Sequence, residues 1–202
     1  MIRWLCTLLL PVIFLASCSS TSVKKKPTGG TLPLTHEAFM ADPNYEISGD
    51  FWSSPVIEGR DPMNSVIEIS LDKQRGYFYI KGELAMDFPV CTGKENQHET
   101  PLGNFRITEM KKDHRSSLYG SFVDKNGDVV KGGIRVTDSR PAGTHYRGAK
   151  LPYWMRFNGS YGIHEGEVWR KSASHGCVRI PIEVAEILFK KVECGTPVLI
   201  KN

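Results

Sequence analysis

Ser174-His175-Gly176-Cys177-Val178-Arg179 sets a thiol beside an imidazole and a guanidinium, and a second histidine, His164, lies a short loop upstream. A cysteine attacks carbonyls as its thiolate, so it needs a base or an electropositive setting. An imidazolium, the Arg179 guanidinium and a helix start a few residues on would each lower the thiol pKa. Gly176 admits backbone geometry closed to other residues, and successive N–H groups there could bind the oxyanion of a tetrahedral intermediate. Such a set points to acyl transfer through a thioester at Cys177. Either His175 or His164 could be the base, because spacing alone does not choose between them. The remaining histidines (His36, His98, His114 and His145) are scattered without paired ligand spacing, so no metal or other cofactor is expected.

The elements that must hold these residues read as mostly strands. Apolar and β-branched runs predict strands over Val66–Leu71, Tyr77–Ile80, Leu84–Cys91 and Asn104–Thr108, with Asp72–Gly76 and Lys81–Glu83 as turns. Residues 109–150 read as polar, Gly-rich loops with short strands near Val129-Val130 and Ile134–Val136. Tyr161-Gly162-Ile163-His164 reads as a strand end. Just before it, Pro152–Phe157 forms an aromatic patch, either core packing or one wall of a cleft. One helix is predicted after Pro181, a residue suited to a first helical position, with Val184, Ile187 and Leu188 at helical spacing. Gly195-Thr196-Pro197 stops it, and Val198–Ile200 predicts a last strand.

These motifs resemble the L,D-transpeptidase (YkuD) catalytic domain. The likeness rests on Gly162-Ile163-His164, the segment Ser174–Arg179, Phe88–Lys94, Glu99–Ile107 and Gly195–Val198, and spans about residues 65–201. It implies a mainly β fold with one principal helix, an L,D-transpeptidase-like β-sandwich or barrel. It implies Cys177 as nucleophile and His164 as general base, with Ser174, His175, Gly176 and Arg179 shaping the pocket and oxyanion hole. The implied substrates are peptidoglycan stem peptides, cleaved before a terminal D-Ala and passed as an acyl group to an amine. Water as acceptor would make an L,D-carboxypeptidase or hydrolase instead, and loss of turnover would leave a wall-binding lipoprotein. The loop between His164 and Ser174 is shorter than in many members, and Arg179 stands where some carry Asn.

The first residues differ in kind. Met1–Trp4 is a short basic start, and the apolar run Leu5–Ala16 is too short to span a bilayer. Leu15-Ala16-Ser17-Cys18 resembles a bacterial lipobox, which implies a signal peptide over 1–17 and lipidation of Cys18. Ser19 then implies sorting to the outer membrane, facing the periplasm. Residues 18–31 read as a flexible tether, 32–64 as an irregular N-terminal arm and 65–202 as the catalytic domain. A net charge of +4 with acidic and basic residues interspersed gives no nucleic-acid tract, and the chain reads as a monomer. Cys91 and Cys194 are first read as small buried hydrophobes, a disulfide between them being the other arrangement open.

Overall fold

The computed structural model describes residues 35–45 and 49–202; the signal, lipidation and tether readings, Cys18 among them, lie outside the described residues. Among the described residues, helix α1 (His36–Met40), strand β1 (Phe51–Trp52), helix α2 (Ser54–Glu58) and a 3-10 turn at Pro62–Asn64 come first. The strands β2 (Ser65–Ser70), β3 (Arg75–Ile80), β4 (Glu83–Pro89), β5 (Gly103–Arg106) and β6 (Glu109–Val123) follow. Then come β7 (Val129–Arg135), β8 (His145–Asn158), β9 (Tyr161–Glu165), β10 (Val178–Ile180), helix α3 (Ile182–Lys191) and β11 (Pro197–Lys201).

They form two sheets, ordered β1-β4-β3-β2-β11-β5 and β10-β9-β8-β6-β7. Both are mixed: β11 runs parallel to β2 and β10 parallel to β9, while the other pairings are antiparallel. The fold is mainly β with α3 as its principal helix, as the sequence reading expected. The β3–β4 hairpin closes through Lys81 and Gly82, both at positive φ, the backbone a two-residue loop needs to match strand twist. Alternation then selects the inward faces. Ile67 and Ile69 of β2, Phe78 and Ile80 of β3, Met155 and Phe157 of β8, and Ile163, Val178 and Ile180 meet in one apolar core. Helix α3 adds Val184, Ala185 and Leu188 to it; Pro181 is its N-cap, one residue earlier than predicted.

Two segments depart from the expectation. Residues 109–150 hold long strands where loops with short strands were expected; the two short strands expected near Val129-Val130 and Ile134–Val136 fall on one strand, β7. Lys111–Ser117 is largely exposed, and so is most of β7. With water on both faces of this ribbon, no apolar alternation marks it in the sequence. The N-terminal arm is more regular than expected. It carries α1 and α2, and β1 pairs with the edge of β4, Phe51 opposite Asp87.

Candidate functional site

The parallel pairing of β9 with β10 assembles the site. Val178 lies opposite Ile163 and Arg179 opposite His164. Because side chains alternate, Ile163, Val178 and Ile180 turn into the core, fully buried, and Gly162, His164, Cys177 and Arg179 fall on the other face. β8 extends that face with Trp154 and Arg156, the latter opposite Gly162. The aromatic patch is therefore both things proposed for it: Met155 and Phe157 pack in the core, whereas Trp154 and Arg156 line a cleft of about 1330 Å³. His164, Ser174, His175, Cys177 and Arg179 line the same cleft. A Cβ on Gly162 would come within 2.5 Å of the Trp154 ring, so glycine is what lets that indole lie across β9.

His164 is nearly sealed, at 5% exposure. Its Nδ1 sits 2.6 Å from the Glu165 carbonyl. A carbonyl only accepts, so Nδ1 carries the proton and the bare nitrogen is Nε2. Burial, chiefly, lowers the His164 pKa to about 4, with the Arg179 charge adding to the fall. The imidazole is thus neutral near pH 7, able to take a proton.

Cys177 departs from the expected thiolate. Burial raises its pKa, against the opposing pull of the Gly162 N–H and Arg179. The helix start predicted to help stands beyond the whole of β10 and Pro181, roughly 16 Å along the chain at strand rise, and a helix end acts only over its first turn. The resting side chain is therefore a thiol, whose Sγ donates to the Ser160 carbonyl at 3.8 Å. The His175 ring packs at 4.5 Å from Tyr119 and 4.7 Å from His98.

The turn carrying Cys177 is clamped from behind. Ser174, 2% exposed, donates its hydroxyl to the Cys177 carbonyl and accepts from the Gly176 N–H at 3.0 Å. The Gly176 N–H is thereby used, and among the described residues the Cys177 N–H has no protein acceptor. Thr100 donates to the Gly176 carbonyl at 2.8 Å and accepts from the Gly93 N–H at 2.9 Å. Gly93 packs so tightly that a Cβ would lie 1.9 Å from the His98 carbonyl oxygen and 2.8 Å from the Gly176 Cα. Gly176 itself has φ +106°, and a Cβ there would meet the Tyr161 ring at 2.5 Å. Cys91 is buried, its backbone paired with Arg179, while Cys194 is exposed; both are free thiols. Neither the disulfide nor a buried position for Cys194 is found.

Residues 64–200 match the YkuD family, the L,D-transpeptidase catalytic domain. The chain belongs to the L,D-transpeptidase (YkuD) family. The fold agrees with solved members. An L,D-transpeptidase from Stackebrandtia nassauensis is 20% identical, with a TM-score of 0.50 over 71% of this chain and 58% of that one. One from Mycobacterium smegmatis is 18% identical, with a TM-score of 0.52 over 69% of this chain and 59% of that one. The chain thus spans under two thirds of the length of these L,D-transpeptidases. No curated protein is significantly similar to it.

Sequence reasoning passed over His98, Tyr119, Arg135, Ser160 and Trp169. The first three reach the cleft from a polar loop and from the exposed ribbon, where no motif or periodicity singles them out.

Proposed function

We propose that the chain is a cysteine-dependent L,D-transpeptidase that acts on peptidoglycan stem peptides through a thioester at Cys177. The observation that supports it most is a thiol in the turn that enters β10 and a neutral, nearly sealed imidazole on the adjacent β9, both lining one cleft. His164 Nε2 takes the thiol proton as Cys177 Sγ attacks the carbonyl between the L-centre of the diamino acid and the terminal D-Ala. The Cys177 N–H donates to the oxyanion. The imidazolium then protonates the departing amine of D-Ala, and the thioester remains. An amine of a second stem attacks next, passing its proton to His164. Collapse expels the thiolate, which His164 reprotonates. The pair starts as a neutral imidazole and a neutral thiol, so the proton moves in the same step in which Sγ attacks.

In this reading Ser174 and Gly176 fix the nucleophile turn, while His175 and Arg179 shape the pocket. The domain would be held at the envelope by lipid on Cys18, facing the periplasm from the outer membrane. Cys18→Ala would move it from the membrane fraction to the soluble one; retention in the membrane would refute the anchor.

Tetrapeptide muropeptides incubated with the enzyme and read by mass spectrometry test the activity. Cross-linked products that disappear in Cys177→Ala, with the fold kept by circular dichroism, are expected. Tripeptide alone would mean water is the acceptor, and turnover by Cys177→Ala would end the thioester mechanism.

A further inference from the structure

Two of the cleft's guanidiniums are held by aromatic rings in place of carboxylates. Arg135, on β7, lies with its Cζ 5.5 Å from the Tyr119 ring centroid and donates to the Tyr119 hydroxyl at 3.1 Å. Arg179 lies 5.5 Å from the Trp169 ring. Neither is ion-paired among the described residues, whereas Arg156, also in the cleft, is paired with Glu109 at 2.8 Å. Both unpaired charges act on His175, whose pKa falls through burial first, then His98, Arg179 and Arg135. The Tyr119 ring that holds Arg135 also packs on His175 and His98. Carboxylates do line the cleft, at Glu99, Glu165 and Glu167, yet none has closed on either Arg. Arg135 gives a hydrogen bond to the Tyr119 hydroxyl, but a guanidinium carries five N–H donors in a planar fork, which suits recognition of a planar anion as well.

We propose that Arg135, fixed on Tyr119 beside the His98–His175 pair, reads a carboxylate of the substrate and is a specificity-determining residue of this cleft. The inference rests on the stem-peptide reading above and deepens it. A stem peptide offers this chemistry from two sources: the carboxylate of its terminal D-Ala, or the second carboxylate of a diamino diacid. Arg179 sits closer to the nucleophile in sequence and packs against Gly166 through its stem, so Arg135 supplies the outlying charge.

Binding to the Cys177→Ala protein tests this without turnover. The probes are a disaccharide-tetrapeptide with both carboxylates free and two versions, each amidated at one of them. Calorimetry should show Arg135→Gln weakening the free peptide about tenfold, the scale of one charge-assisted hydrogen bond, with Arg135→Lys intermediate. Whichever amide makes Arg135→Gln nearly neutral identifies the carboxylate. Equal binding of all three peptides by parent and Arg135→Gln overturns the proposal, even if the intact enzyme cross-links. An intact enzyme without turnover that still discriminates through Arg135 would uphold the subsite and refute the reaction. Arg135 is exposed, so the variant keeps its fold.

Discussion

His164 puts a measurable cost on low pH. Its folded pKa, about 4, lies below the ordinary 6.5, so between those values the unfolded chain holds more protons. This part of the stability is present above pH 6.5 and is lost as pH falls toward 4 and below, approaching roughly 3 kcal/mol. Urea midpoints of the parent and His164→Gln, compared at pH 7.5 and 4.5, should converge at the lower pH; a constant gap would mean the imidazole is not buried neutral. Cys177 gives the opposite limb. Its thiol is pushed above the ordinary value by burial, so iodoacetamide alkylation of Cys177 should still be accelerating at about pH 9, and a plateau near pH 7 would show a stabilised thiolate. Residue chemistry of this kind was half legible in the sequence. Cys177 and His164 stand out because few apolar strands carry a thiol or imidazole at such spacing. The direction of the thiol's pKa was not legible, because it depends on how much of Sγ the cleft walls cover and on a helix start held one strand away.

Elements decide whether the turn that carries Cys177 holds its shape. The segment after β4 reaches across as a strap: Lys94 N–H donates to the Ser174 carbonyl, Ser174 N–H to the Thr92 carbonyl, and Thr100 joins Gly93 to Gly176. Thr100→Val keeps the shape but leaves a buried N–H and a buried carbonyl without their partner, at a cost of about 2 kcal/mol. It should lower kcat as well as the unfolding midpoint, since Gly176 is released. An unchanged kcat would show that the strap only stabilises. Gly93→Ala should be worse, because the atoms its Cβ meets are backbone. The strap's residues were visible in the sequence through the likeness of Phe88–Lys94 and Glu99–Ile107 to family segments, and apolar alternation gave β2, β3 and β4. Of the ribbon, β7 was visible in part, through the short strands expected near Val129-Val130 and Ile134–Val136, while β6 and the start of β8 were not. Its partners are polar and exposed, so it owes its form to cross-strand pairing with distant residues, not to a local apolar period.

At the scale of the whole molecule, the N-terminal arm is locked to the sheet that lies away from the cleft. Asp87, fully buried, accepts from Arg75 Nε at 2.7 Å and from the Tyr45 hydroxyl at 2.8 Å, and pairs with His36 Nε2 at 2.7 Å. Arg75, also fully buried, lies over the Phe39 and Tyr45 rings. Burial and the neighbouring Tyr77 and Asp87 push the Tyr45 hydroxyl pKa up, which keeps it a donor at any working pH. The sequence placed Arg75 in a turn, since a charged residue beside glycine reads as surface; only the arm's return makes it interior. Removing one member of such a pair strands the other charge, typically at 3–5 kcal/mol. Asp87→Ala should therefore lose about that much stability and expose 36–45 to limited proteolysis. Below its melting point the variant should keep the parent's kcat. Asp87 lies on β4 of the six-stranded sheet, whereas His164 and Arg179 ride on β9 and β10 of the other, with Cys177 just before β10. A fall in kcat per folded molecule, with no change in stability, would mean that the arm shapes the cleft and that the two sheets do not act separately.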